Sequence, residues 1–391
     1  METDTRAKPQ ITGAGADRLP AAVGEIAQGI DEGLHLGAQL YVSIGGRPVA
    51  DFALGGDREG RPLEPTDLAL WLSATKPVTA VAVGQLWERG LLALDDPVAR
   101  HLPEFGEHGK GDITLRHLLT HTGGIRMLEV GWPHASWEEI LDKICQRRPE
   151  PRWTAGEKAG YHLTSSWFVL GEVIRRLDGR PFSTYVRQEI FEPLDLDDSW
   201  IGMPEETFEG YGDRIAKTYN TADDEGAPFR RPREHSWHGL ERVTRPSPGG
   251  NGRGPIRELG RFYEALAAGG ALDGRRILRP QTVEALTARH RVGLYDHTFK
   301  HILDWGLGFI PDSKQYGEDT VPYAYGRLCS RRTWGHSGYR SSTGFADAAH
   351  GLVVALVFNG TPDDAGHDRR MRRVLEAIYW DLGLAETPDD S

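Results

Sequence analysis

Apolar residues along this chain recur at helical spacing in some segments and gather into short runs bounded by turn residues in others. From Asp17 to Gly33, Leu19, Val23, Ile26 and Ile30 share one face, so the spacing predicts a helix that Gly33 ends. The stretch AQLYVSIGGRPVADFALGG holds two apolar runs on either side of GGRP and predicts a β-hairpin. LWLSATKPVTAVAVGQLWERG then turns helical near Ala74, with Val78, Val81, Leu86 and Trp87 on one side and Gly90 as the stop. Pro77 has no backbone donor and is tolerated only in a first helical turn, which pins the helix start beside Ser73. Residues 1 to about 16 read as a loose tail.

Residues from about 95 to 240 read as helices and loops, as in ITLRHLLTHTGGI, SWEEILDKICQ, SSWFVLGEVIRRLDG and STYVRQEIFEPL. The stretch 204–255 is rich in Gly, Pro and charge and reads as long loops. IRELGRFYEALAAGG resumes as a helix. RTWGHSG, SSTGFADAAHG and LVVALVFNG predict three short strands, and DRRMRRVLEAIYWDLG closes the pattern as an amphipathic helix. Strands near both ends with helices between them imply one mixed sheet assembled from the two ends of the chain. The expected organisation is a discontinuous α/β sheet domain over 17–95 and 240–385, an inserted mainly helical domain over 96–239, and an active site between them.

Composition narrows the function. With 391 residues, 39% hydrophobic and 26% charged, the chain has ample material for a globular core. A formal net charge of −11 and no basic run longer than RRPR near 230 argue against nucleic acid as a partner. The first twenty residues are polar and lack an apolar signal region, and no 18-residue apolar run exists, so neither a signal peptide nor a membrane span is expected and the location reads as cytoplasmic. Cys145 and Cys329 stand far apart without neighbours at ligand spacing, and the 15 histidines form no HExxH, so no metal or other cofactor is expected.

Ser73 and Lys76 lie one helical turn apart, where a lysine amine can reach a serine hydroxyl. A Ser-x-x-Lys arises about once by chance in a chain of this length, and an N-cap serine with a solvated lysine is the plain alternative. The company the pair keeps is more specific. Ser73-Ala-Thr-Lys76, then ITLRHLLTHTGGI, then AGEKAGYHLTSSWFVLGEVI, then PGGNG, then WGHSGYRSSTGFADAAHGLVVALVFN follow in order. In that order the motifs resemble the serine β-lactamase-like family of class C β-lactamases, penicillin-binding D-Ala-D-Ala peptidases, related esterases and a few acyltransferases. The resemblance covers roughly 18 to 383.

The resemblance implies an α/β (α+β) fold with an antiparallel sheet flanked by helices and an inserted helical domain. It also implies roles: Ser73 as nucleophile, Lys76 as base, Tyr161 as proton shuttle, and the backbone amides of Ser73 and Tyr339 as the oxyanion hole. His336, Ser337 and Gly338 would form the substrate-binding strand, with Trp334 beside them; Trp71, Trp153, Trp167, Trp305 and Trp334 are either pocket or core. In RHLLTHTGGI, Leu118 and Leu119 read as core, Gly123-Gly124 as a turn and His121 as a hydrogen bonder that fixes a loop.

Three departures shape the expected activity. Ala155 stands where the family has proline, five residues after Gly156 comes Tyr161-His162-Leu163 without the usual asparagine, and His336-Ser337-Gly338 replaces Lys-Thr-Gly. A largely neutral imidazole attracts a substrate carboxylate far less than lysine does. The expected activity is therefore a serine acyl hydrolase of carboxylesterase type acting on a small-molecule ester. Transfer of the acyl group to an alcohol or amine acceptor is the alternative. A β-lactamase or D-amino-acid peptidase fits less well, and an inactive scaffold would have no need of Ser73, Lys76 and Tyr161 together.

Overall fold

The computed structural model describes residues 9–222, 232–322 and 324–384. Residues 1–8 of the expected tail, Arg230 and Arg231 of the basic run, and residue 385 at the expected domain end lie outside them. The first element corrects the reading of a loose tail: Ile11–Ala14 forms β1, paired antiparallel with β3 (Arg47–Gly55). This strand is short, largely exposed and at the sheet edge, so it carries no alternating apolar face for periodicity to detect. After α1 (Pro20–Asp31), β2 (Gly37–Ile44) and β3 form the hairpin predicted around GGRP.

The main sheet has seven strands in the order β1-β3-β2-β10-β9-β8-β7. Its second half comprises β7 (Ile310–Pro311), β8 (Thr333–Ser337), β9 (Ser342–Asp347) and β10 (Leu352–Phe358). The two ends of the chain meet where β10 pairs with β2. Every pairing is antiparallel, not mixed, because each half is built from hairpins and no crossover returns a strand in the same direction.

LVVALVF is buried at every position because helices cover both faces of the sheet. Leu352, Val354, Leu356 and Phe358 pack with α1 and the closing helix α8 (Asp364–Asp381). Val353, Ala355 and Val357 face the other way, toward α6 (Ile256–Ala267). That helix sits so close that a β-carbon at Gly260 would overlap the Tyr41 ring, whose hydroxyl donates to Glu264 at 2.7 Å.

The helix after Ser73, α2 (Lys76–Glu88), is expected to be amphipathic but is buried all round from Lys76 to Leu86. Its alanines, valines and glycine let it pack at once on α5 (Ser165–Asp178), α7 (Pro280–Thr287) and β8. One apolar cluster runs from the inner sheet face through α2 into α3 (Leu115–Leu119), α4 (Trp137–Gln146) and α5. The stretch 204–255, expected as loops, holds a short helix over Glu205–Tyr211 and a strand, β6 (Gly252–Gly254). This strand bridges β4 (Ala69–Leu72) and β5 (Trp200–Ile201), an arrangement that GRG is too short to signal.

Among the described residues, no helix is long and apolar enough to cross a membrane, and no group of three or more His, Cys, Asp or Glu side chains is placed to hold a metal ion. The close seating of α6 makes Gly260→Ala an overpacking substitution, expected to lower unfolding stability by about 1–3 kcal/mol. Urea unfolding measures this, and an unchanged midpoint would mean that α6 is not seated on Tyr41.

Candidate active site

Ser73 sits at a strand-to-helix junction. β4 ends at Leu72, whose backbone adopts φ 49° and ψ −134°, and the turn Ser73–Thr75 leads into α2. A leucine in the left-handed region carries strain on the order of 1–3 kcal/mol, so its surroundings must hold it there. They do so through several hydrogen bonds: Ser342 Oγ donates to Trp71 O at 2.6 Å, Thr75 Oγ1 donates to Leu72 O at 2.6 Å, and the Gly252 amide donates to Thr75 Oγ1 at 2.8 Å. The result is a half-buried serine side chain at the start of a buried helix.

Lys76 is fully buried, with Nζ 2.9 Å from Ser73 Oγ. The same nitrogen donates to the carbonyl of Gly249 at 2.7 Å, which gives the PGGNG motif a physical task. The rings of Tyr161 and Trp167 lie 4.9 and 5.5 Å from Nζ. No carboxylate pairs with Lys76 among the described residues, and burial holds its pKa well below the ordinary 10.5. Burial thus favours the neutral form of an amine that lies beside the serine hydroxyl.

Tyr161 is buried, with its ring centroid 4.6 Å from His121, 4.8 Å from Phe299, 5.7 Å from Trp305 and 6.1 Å from His336. His336 Nδ1 lies 2.8 Å from Ser337 O and donates to it, which leaves the buried Nε2 as a bare acceptor. Burial presses the His336 pKa down to about 3. His121 makes the loop-fixing bond expected of it, with Nδ1 accepting the His162 amide at 2.9 Å. Beyond that expectation, its ring packs against Tyr161. His162 Nε2 accepts the Ile125 amide at 2.9 Å, and burial lowers its pKa to about 3.

The structure thus brings Ser73, Lys76, Tyr161 and His336 together. β8 packs directly against the Ser73–Thr75 turn. Gly338 allows this, since a β-carbon there would overlap Ser342 Oγ and the Trp71 carbonyl and come within 2.8 Å of Leu72 Cβ. Tyr339 follows in a turn, with its side chain exposed. Ser337 Oγ shares a 3.0 Å hydrogen bond with Thr343 Oγ1, and with Tyr339 it borders a cavity of about 270 Å³ that also meets Phe299, His367 and Met371. Trp334 packs in the core against Tyr263 and Phe309. Of the other tryptophans, Trp167 and Trp305 wall the site, Trp71 anchors β4 to Gly254 O, and Trp153 donates to Thr122 O. Sequence reasoning gave no role to Gly249, Phe299, Arg291 or Asp296. Only Gly249 stood in a visible motif.

An antiparallel sheet flanked by helices, with a serine and a buried lysine where the central helix meets the sheet edge, is the β-lactamase/transpeptidase-like fold. The chain belongs to the family described as Beta-lactamase, whose model matches residues 24–378, and is a serine hydrolase of that family. It is 28% identical over 377 residues to "Esterase/beta-lactamase LipL" of Mycobacterium tuberculosis, covering 90% of this chain and 83% of that protein. It is also 28% identical over 361 residues to "Esterase EstB" of Burkholderia gladioli, covering 85% and 88%. Among solved structures it resembles a penicillin-binding protein homologue from Caulobacter crescentus at 32% identity and TM-score 0.78, and a family VIII carboxylesterase at 26% and 0.77. Each match covers 95% of this chain and 100% of the other.

The neutral histidines make stability depend on pH. His162 and His336 are held near 3 when folded but titrate near 6.5 when unfolded. Between those values the unfolded chain binds more protons, so stability is full above pH 6.5 and falls as pH drops toward 3. At pH 5 each residue should remove about 2 kcal/mol. Urea midpoints should therefore fall from pH 7.5 to pH 5, and His336→Gln should narrow the difference. The same pH dependence in variant and wild type would contradict the buried neutral imidazole.

Proposed function

We propose that the protein hydrolyses a small-molecule carboxylic ester through an acyl-enzyme on Ser73. The observation that carries the reading is the 2.9 Å approach of a fully buried Lys76 amine, unpaired with any described carboxylate, to the Ser73 hydroxyl. As Ser73 Oγ attacks the ester carbonyl, its proton passes to Lys76 Nζ. Tyr161, packed beside the amine, relays a proton to the departing alkoxide and later takes one from the incoming water. The amides of Ser73 and Tyr339 hold the oxyanion, aided by the start of the buried helix. In this reading the site lies between a sheet unit (17–95 and 240–385) and an inserted, mainly helical unit (96–239).

Preference for an ester over a β-lactam follows from His336. Where the family has a lysine, this chain carries an uncharged ring with no positive charge for a carboxylate. EstB and the family VIII carboxylesterase, named for ester hydrolysis alone, support the same choice. Acyl transfer is a second reading, because aromatic rings wall the lysine and disfavour bulk water, so a positioned alcohol or amine could compete by its effective molarity.

A fluorophosphonate should label the peptide that contains Ser73, and Ser73→Ala should abolish both labelling and turnover. Short-chain p-nitrophenyl esters should show kcat/KM at least about 100-fold above a chromogenic cephalosporin, the scale of one lost charged contact. The reverse ranking would replace the esterase reading with a β-lactamase one. Added alcohols that speed p-nitrophenol release and appear in the product would establish the transferase.

A further inference from the structure

The Arg291–Asp296 ion pair stands behind Tyr161 and takes no part in the chemistry above. Arg291 is 3% exposed and Asp296 fully buried, with Nη2 and Oδ2 3.1 Å apart. Burying two charges is costly unless their remaining polar atoms are well used. Here Asp296 Oδ1 and the Arg291 Nη atoms are used on the walls around Tyr161, while Arg291 Nε has no hydrogen-bond partner among the described residues. Asp296 Oδ1 accepts three backbone amides: Tyr161 at 3.1 Å, Thr298 at 2.8 Å and Phe299 at 3.1 Å. The last two close an Asx-type turn that seats the Phe299 ring 4.8 Å from the Tyr161 ring. Thr298 Oγ1 donates back to the Tyr161 carbonyl at 3.0 Å.

Arg291 secures the opposite side. Its Nη1 donates to Thr120 O at 3.1 Å, one residue before His121. Its guanidinium lies 4.9 Å from the Trp305 ring, which in turn stands 4.7 Å from His121. The pair therefore holds the Tyr161 backbone and stands behind three of the rings that pack on it.

We propose that Asp296, held by Arg291, is the positioning residue that fixes Tyr161 against Lys76. This rests on the proton-handling role proposed for Tyr161. Asp296 reaches no reacting atom and acts through the tyrosine's backbone. Misplacing a catalytic group by about 1 Å costs on the order of 100-fold in rate, so the loss should fall on kcat and leave ester binding intact.

The test compares two double variants that remove the charge pair together, since a lone buried charge would itself unfold the chain. R291M/D296N keeps a side-chain oxygen for the three amides, whereas R291M/D296L does not. Melting temperature, and the acylation rate constant and substrate dissociation constant Ks from the concentration dependence of the p-nitrophenol burst, are measured for both. The acylation rate of R291M/D296L should fall about 100-fold with Ks within about threefold, and R291M/D296N should stay within about tenfold of wild type. A folded R291M/D296L that acylates at the wild-type rate overturns the proposal. If that variant does not fold, R291M/D296A decides, because it removes the same acceptor and leaves room for water: a severalfold fall in acylation at unchanged Ks supports the role, and wild-type rates reject it. The wild-type Ser73 adduct tests the site itself, so unchanged variant rates in a chain that forms the adduct reject the positioning role alone.

Discussion

The structure is organised around an amine that has lost its water. Lys76 is enclosed at the start of a helix buried on every side, with two carbonyl or hydroxyl oxygens and two aromatic rings as its immediate company. Keeping an ammonium there without a counter-charge would cost several kcal/mol, and the cheaper outcome is a neutral amine. A neutral nitrogen 2.9 Å from the Ser73 hydroxyl is what the proposed base role of Lys76 requires. The same enclosure explains the neutral imidazoles of His121, His162 and His336, which add no positive charge to the amine's surroundings.

Several parts of the fold serve that enclosure. The strained Leu72 elbow turns the chain from strand to helix so that Ser73 and Lys76 share a face. β6 and the adjoining loop supply the Gly249 carbonyl and the amide that braces Thr75. Gly338 lets the edge of the sheet press against the elbow. The two ends of the chain must therefore meet, at β2 and β10, before the site can form. The sheet is both core and jig.

How much of this could be read beforehand depends on what each element buries. The hairpin, the three C-terminal strands and the long helices announce themselves because their apolar faces repeat. Ser73, Lys76, Tyr161 and His336 were legible through ordered motifs. The edge strand β1 and the GRG strand bury no periodic face and were missed. The full burial of α2 escaped periodicity because small residues fill the face that would otherwise be polar. Arg291 and Asp296 were invisible for a different reason. They lie in a single bridge and a two-residue strand, too short to carry a periodic face, and only the tertiary path brings a carboxylate to the Tyr161 amide. Trp334, two residues from His336 in sequence, packs against Tyr263 and Phe309.

The protonation state of Lys76 tests the account most directly. Selective 15Nζ labelling and NMR titration of the resting protein would follow that one nitrogen, with Lys76→Arg assigning the signal. The account predicts a neutral amine at pH 7.5, titrating well below the ordinary lysine range. An ammonium signal that persists through pH 9 would contradict it and leave Ser73 without its base.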